Sequence, residues 1–426
     1  MTHSQSSGAR DRKFRAKFRG LFHSETEVQK SDPSALPRFV IFGLPYSPNL
    51  GDGVIAECLR AGLQEASPGS AVQWIDISGR KDFGEVTIKR RSLALAILRW
   101  LPRSITHRLV MFRLGRLLDG FEAGWRQIAA EAELAIIGGG QIFSDADLNF
   151  CLKIERVASI LETIGCPVVI HAAGVAHNWT PRGRSLFRRL LKCDLRAVGL
   201  RDETSISNWI DQMGTDGPKP VMTRDPALIA AQVYKPDGIA TSRSIGLCVT
   251  DPAILSYHAE GGKSAISHSG TFAEIALALA ALGHRVTLFC NGAVEDRAAL
   301  SAARLRPEIA AGIGAGQINI AESPETPAEL AALVGSFEAI VAHRLHACIL
   351  GYAFRRPIVG LGWDRKLESF FQSVGLEDYF LPAHSFTPDR AAQLAEAALR
   401  SGIDPDRHAA VVAEARAAIR AILDAL

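Results

Sequence analysis

Short apolar runs and longer segments with helical spacing take turns along this chain. Phe39-Val40-Ile41-Phe42 and Leu134-Ala135-Ile136-Ile137 are uninterrupted apolar runs, the pattern of strands covered on both faces. Between them, Val54, Ile55, Cys58, Leu59 and Leu63 recur at the spacing of one helix face. AVQWIDI reads as a second strand, followed by a basic helical region. A helix around 150–164 leads to a strand at Pro167-Val168-Val169-Ile170. Residues 182–193 read as helical, Arg196 to Leu200 as a strand, and a helix starts near Asp202. Strand and helix in strict alternation predict a parallel, doubly wound sheet.

The polar stretch 234–244, with Pro and Gly, interrupts the pattern and reads as a linker. The alternation then restarts. Strands are predicted at Ile245 to Val249, Arg285 to Cys290, Ile318 to Ile320, Ala339 to Val341 and, last, Ile358 to Leu361. Helices are predicted from Phe272 to Leu282, from Pro327 to Leu333, near His343, and through the Ala-rich residues 387–426. Pro327 and Pro388 each follow a Thr, the arrangement of a capped helix start. The fold class is therefore α/β, with two Rossmann-like domains facing a cleft. The expected organisation is a flexible basic arm over 1–36, a first domain over 37–235, a second over 245–385, and C-terminal helices over 386–426.

Composition agrees with two globular domains. The chain has 426 residues, 47% of them apolar and 22% charged, which excludes a long disordered polymer. The net charge is only +3, yet its distribution is uneven. Lys89, Arg90, Arg91, Arg99, Arg103, Arg108, Arg113 and Arg116 fall in a stretch, 89–118, without any Asp or Glu. Apolar residues lie between them, so the stretch reads as a basic amphipathic helix pair packed on the core. The sharper alternative is a surface for anionic lipid headgroups. Nucleic acid is not an expected partner, because no matching basic stripe occurs elsewhere. The seven cysteines are scattered, without a C-x-x-C pair, and most lie in apolar runs. They read as buried hydrophobes in a reducing cytoplasm. No secretory leader and no apolar run of about 18 residues is seen.

Candidate chemistry sits where strands end. His343-Arg344-Leu345-His346 follows the apolar strand EAIVA and opens a helix. A helix N-terminus attracts anions, a guanidinium grips carboxylate or phosphate with two bonds, and imidazole moves protons near neutral pH. The two histidines, three apart, would share a helix face. The plain alternative is two ordinary histidines. A metal site lacks a carboxylate at helical spacing, so no metal is expected. Lys366, after the strand Ile358 to Leu361, is a further anion contact or a solvated loop lysine. In the first domain, Asn49-Leu50-Gly51-Asp52-Gly53 joins a strand to a helix. Asp52 is either an N-cap or a carboxylate aimed into the cleft as base or sugar ligand. Gly138-Gly139-Gly140 has the same placement, without the G-x-G-x-x-G of a dinucleotide site. Arg201, at a strand terminus, is a candidate for the cleft, whereas Asp202 reads as a cap and Asp225 as a turn residue before Pro226.

Taken in order, Asn49-x-Gly51-Asp52, Gly138-Gly139-Gly140, Arg201-Asp202-x-x-Ser205, Asp225-Pro226-Ala227-Leu228, Arg344-Leu345-His346-Ala347 and Lys366 resemble the polysaccharide pyruvyl transferases. The resemblance covers about residues 39–380. It implies the two-domain GT-B fold, with phosphoenolpyruvate as donor and a saccharide as acceptor, and a pyruvate ketal as product. It makes the first domain the acceptor side and the second the donor side. Carried over by position, Arg344 and His346 are the donor-binding and catalytic pair, with His346 as general acid and Arg344 as anion clamp. Asp52 joins them as a catalytic candidate. Arg201, Lys366, His343, Asn49, Gly139 and Gly140 are the substrate-binding candidates. No cofactor is implied beyond the donor itself. Trp363 stands where the family often has Tyr, and neither the N-terminal arm nor the basic stretch 89–118 belongs to the motif set. A lipid-linked acceptor would give that stretch a place at the inner face of a membrane.

Two rival functions fit the same residues. A nucleotide-sugar glycosyltransferase on this fold also needs an anion site at a helix N-terminus. A non-catalytic carbohydrate-binding scaffold would keep the fold, but has little use for an Arg and a His at one strand end.

Overall fold

Why the alternating pattern produces two sheets is visible in a computed structural model that describes residues 36–83, 103–235, 244–252, 270–363 and 365–426. The N-terminal arm up to residue 35, the first part of the basic stretch, most of the linker read over 234–244, residues 253–269 and Asp364 lie outside the described residues.

The first half runs β1 (Arg38–Gly43), α1 (Leu50–Ala66), β2 (Ala71–Asp76), α2 (Arg103–Ala130), β3 (Leu134–Gly138), α3 (Asn149–Ile164), β4 (Val168–Ala173), β5 (Leu195–Leu200), α4 (Glu203–Met213) and β6 (Val221–Met222). Its strands are all parallel, in the order β2-β1-β3-β4-β5-β6. Phe39 lies opposite both Val72 and Leu134, so β1 is central and its apolar run is explained. The second half runs β7 (Ser244–Cys248), α5 (Thr271–Ala281), β8 (Arg285–Phe289), α6 (Val294–Arg304), β9 (Ile318–Ile320), α7 (Pro327–Gly335), β10 (Ala339–Ala342), α8 (Leu345–Ala353), β11 (Ile358–Leu361), α9 (Arg365–Val374), β12 (Phe380–Leu381), α10 (Pro388–Ser401) and α11 (Pro405–Arg420). Its order is β12-β11-β10-β7-β8-β9, again all parallel.

Successive strand residues point to opposite faces, and here each face has its own core. Val40 and Phe42 face helices of the first half, while Phe39 and Ile41 face a core that both halves share. In β10, Val341 faces the outer core of the second half and Ile340 the shared one. Leu50, Val54, Leu59 and Leu63 of α1 meet Leu330 of α7, Ile349 of α8 and Ile419 of α11 there. Residues 37–426 accordingly form one compact unit.

The C-terminal helices divide their allegiance. Ala391, Ala395 and Ala398 of α10 pack on the second sheet, whereas Val411, Ala415 and Ile419 of α11 enter the shared core. Thr387 and Asp404 cap them, and Pro405 restarts the helix after Gly402. The end of the chain is tied to the first half, with Arg196 Nη1 donating to the Leu426 carbonyl at 2.8 Å and Arg224 Nε 2.8 Å from Glu414. Ile358–Leu361 is not the last strand, as the sequence suggested. β12 follows it, and β6 likewise escaped notice. Each has two residues, too few to display a period. Among the described residues, no helix is long and apolar enough to cross a membrane.

Candidate active site

Each sheet has a point where the chain reverses its direction of travel, and a crevice opens beyond the strand ends there. In the first sheet this point lies between β1 and β3, at Gly43 and Gly138. In the second it lies between β7 and β10, at Thr250 and His343. The N-terminus of α1 leaves the first crevice and the N-terminus of α8 the second, and the two meet. A Cβ built on Gly51 would lie 2.4 Å from the Cβ and Cγ of His346 and 2.5 Å from its Nδ1. Only glycine allows this approach. Beside it, the Leu50 amide donates to the Asn291 carbonyl across the two halves at 3.0 Å. Two positive helix ends thus converge on one place.

His346 lies in the first turn of α8 and is 7% exposed. Its Nε2 is 3.8 Å from Oδ2 of Asp225, and neither atom has a hydrogen-bond partner among the described residues. The other oxygen of Asp225 accepts from the Ala227 amide at 2.9 Å, which caps the turn over 226–229. Burial, then the cations of Arg201, Arg344 and Lys366, push the His346 imidazole down to about 3, so it is neutral at pH 7. Asp52 moves the other way. Burial lifts its carboxyl to about 6 against the Ser47 hydrogen bond and the charges of Arg80 and Arg201, with Asp225 adding to the rise. Asp225 itself is raised by burial, opposed by the Ala227 bond and Arg201.

Arg201 leaves the end of β5. Its Nη2 donates to Gln141 Oε1 at 2.9 Å, and its Nε is 3.3 Å from Asp202. Asp202 is the cap of α4, as the sequence suggested, accepting from the Ser205 amide at 2.7 Å. Arg201, Arg224, Asp225, Leu345 and Lys366 line one narrow pocket. Residues of both halves therefore share its wall.

Arg344 is the N-cap residue of α8 but lies to one side of that pocket. Its Nη2 donates to Asp296 Oδ1 at 2.6 Å and to Thr250 Oγ at 2.9 Å, while Nε is buried without a partner among the described residues. Asp296 is fully buried, and burial raises its carboxyl despite Arg344. One edge of the guanidinium is thus already occupied by a carboxylate.

Three other candidates sit differently from the sequence reading. His343 shares no helix face with His346, because α8 begins only at Leu345. It is fully buried at the end of β10 with its ring 5.7 Å from that of Phe272, and burial holds its imidazole well below the ordinary range. Trp363 Nε1 donates to the His343 carbonyl at 2.6 Å, bracing the β10–α8 junction. Asp52 is not the cap of α1. That position belongs to Asn49, whose side chain makes no cap bond and whose Oδ1 is buried without a partner. Gly139 packs on Ile55, whereas a Cβ on Gly140, at φ +72°, would lie 3.2 Å from Asp52 Oδ1. Gly140 therefore lines Asp52, and Gly139 lines the core.

Asp225, Asp296 and Thr250 escaped the sequence reading as site residues. Asp225-Pro226 has the form of any turn, and Glu295-Asp296 that of any acidic first turn of a helix. Nothing local distinguishes them. Their partners lie 121 positions away for Asp225 and His346, and 48 away for Asp296 and Arg344.

Residues 49–365 match the family model described as polysaccharide pyruvyl transferase. The chain belongs to this family of transferases. The match begins at Asn49 and includes Asp52, Arg201, Asp225, Arg344 and His346. No curated protein matches the chain. Among solved structures, it is similar to the UDP-GlcNAc 2-epimerase of Methanocaldococcus jannaschii, at 10% identity and a TM-score of 0.52 over 86% of this chain and 93% of that one. It is also similar to a UDP-forming trehalose-phosphate synthase from Burkholderia xenovorans solved with glucose-6-phosphate, at 12% identity and a TM-score of 0.50 over 91% and 98%. At these identities the likeness establishes the fold alone, which is GT-B.

Proposed function

We propose that this transferase moves the pyruvyl group of phosphoenolpyruvate to two hydroxyls of one saccharide, forming a pyruvate ketal and releasing phosphate. The observation that supports this most is the setting of His346. It sits at the junction of two helix N-termini, close enough to Arg201, Arg344 and Lys366 for all three to act on its charge. Phosphoenolpyruvate carries a phosphate and a carboxylate on three carbons, and needs such a concentration of positive charge in a small pocket.

The reaction asks for a proton on the methylene carbon. That makes it a methyl group and leaves positive charge on the neighbouring carbon. The first sugar hydroxyl adds there and loses its proton. Phosphate then leaves with the C–O bonding pair, and the second hydroxyl closes the ring, its proton passing to phosphate or a base. His346 supplies the first proton. It is neutral while the three cations surround it alone, and a bound polyanion offsets them and raises its affinity for a proton. Asp52, held at about 6, is the base for a sugar hydroxyl. Arg201 and Lys366 hold the donor, together with the unpartnered Nε edge of Arg344.

The experiment is a thermal shift with phosphoenolpyruvate, followed by turnover with candidate saccharides. Binding raises the melting temperature with the logarithm of saturation. A shift in the wild-type protein that vanishes in Arg201→Ala and Lys366→Ala supports the reading. No shift with phosphoenolpyruvate, and a shift with a nucleotide sugar, replaces it with glycosyl transfer. That rival is favoured by the fold shared with the UDP-forming synthase.

For the acceptor side we propose a saccharide carried on lipid, in the pathway of an exported polysaccharide. The support is the exposed face of α2, where Arg108, Arg113 and Arg116 stand beside Phe112 and Leu117, which are 63% and 51% exposed. Cations flanking bare apolar side chains on one helix suit an anionic headgroup layer.

A further inference from the structure

The carboxylate of Asp225 has one oxygen in use and one idle. A cap on the Ala227 amide needs only Oδ1, and Asn or Ser would serve it as well. Among the described residues, Oδ2 is buried without a hydrogen-bond partner, 3.8 Å from an equally unpartnered Nε2 of His346. Leaving both groups unsatisfied costs stability, so the arrangement calls for a role outside folding. The residues come from opposite halves, Asp225 from the turn after β6 and His346 from the start of α8.

We infer that Asp225 is a positioning residue for His346, closing onto Nε2 when an anionic donor binds and holding the imidazole in one tautomer and one ring plane. The inference rests on the pyruvyl-transfer reading above. Closure by about 1 Å brings the pair to the length of a charge-assisted hydrogen bond. A carboxylate bonded to one ring nitrogen fixes both the tautomer and the ring plane of an imidazole, and favours its protonated form.

The charges facing His346 decide when this happens. Arg201 comes from the end of β5, Asp225 from the turn, Arg344 from the strand end before α8, and Lys366 from α9, while Asp202 pairs with Arg201 and Asp52 follows Gly51 on α1. With no anion bound, the cations prevail and the imidazole stays neutral. A phosphate and a carboxylate among Arg201, Arg344 and Lys366 cancel that field, and the attraction of Asp225 becomes the leading effect. The acid is thus charged only with its donor in place.

The test is the imidazole titration of His346, followed by NMR in the full-length protein and assigned with His346→Gln. The wild-type protein, Asp225→Asn and Asp225→Ser are compared, first with inorganic phosphate and then with phosphoenolpyruvate. Both variants keep a cap acceptor for Ala227, and the second covers a failure of the first to fold. The expected result is that phosphate raises the His346 midpoint by more than one pH unit in the wild-type protein and by less than half as much in the variants. kcat is expected to fall at least tenfold with KM changed less than threefold, and Asp225→Glu to recover part of it. A midpoint and a pH profile that are the same in variant and wild type overturn the inference. A His346 that responds to phosphate through Asp225 but not to phosphoenolpyruvate overturns the donor assignment and leaves the pairing supported.

Discussion

Gly51 and His346 press against each other across the junction of the two halves, with the space of a methyl group missing between them. This contact joins the helix that starts beside Asp52 to the helix that starts beside Arg344, and it sets the distance between the two crevices.

Gly51→Ala tests how strictly that distance matters. Alanine is the better helix former, by about 1 kcal/mol, so local propensity alone would stabilise α1. The added methyl would instead meet the imidazole and its Cβ at 2.4 Å. The expected outcome is a fall in turnover of at least tenfold together with a lowered melting temperature. Gly115→Ala, in α2 where a Cβ meets nothing within 4 Å, is the control and should not lower stability. Normal turnover in Gly51→Ala would show that the junction yields easily.

Arg344 and Asp296 should behave as a unit. Arg344→Ala leaves a fully buried carboxylate with a lone hydroxyl neighbour, which costs on the order of 3 kcal/mol. Adding Asp296→Asn removes the stranded charge, so the double variant should regain much of the lost stability in a denaturant titration. It should not regain turnover, since the guanidinium is absent. Additive losses in stability would mean the pair is not coupled.

Asp52 makes the protein's stability depend on pH in a defined direction. Its carboxyl is raised from 3.8 to about 6, so the folded state holds this proton more tightly than the unfolded one. Its contribution is fully present below about 4 and is lost as pH rises through 6. Asp52→Asn carries no such penalty. Its unfolding free energy should match that of the wild-type protein near pH 4 and exceed it increasingly up to pH 6.5, by as much as about 3 kcal/mol. A gap that stays constant over this range rules out the raised carboxyl. In the same variant, turnover should be lost while phosphoenolpyruvate still shifts the melting temperature.

The basic face of α2 gives a prediction that needs no turnover. Vesicles containing about a third anionic lipid should carry the wild-type protein in flotation, and neutral vesicles should not. Arg113→Glu with Phe112→Ser should abolish flotation while leaving turnover on a soluble acceptor unchanged. Equal flotation of variant and wild type would remove the lipid surface from α2.

Much of this architecture was legible in the chain because parallel sheets write themselves plainly. Strands covered on both faces need apolar runs such as Phe39 to Phe42, and crossover helices need a single apolar stripe. Caps are equally local, which is why Thr326, Thr387 and Asp202 were identifiable beforehand. The strand-end motifs carrying Arg201, His346 and Lys366 were legible for the same reason, since the ends of parallel strands are where ligands gather. β6 and β12 were not, because two residues hold no period.

What the sequence by itself determined is the pair of sheets, their helices and the strand-end positions of the polar residues. Only the tertiary structure decided which of those residues meet. His343 and His346 look equivalent in the chain, yet helix α8 starts between them, sending one into the core and the other to the cleft. Asp225 looks like a turn residue until the shared core brings it within 3.8 Å of His346, and Asp296 looks like a helix start until Arg344 reaches it. The physical reason is range. Periodicity and capping act within a few residues, whereas desolvation and charge act through space, between groups that only the packing of the two halves brings together.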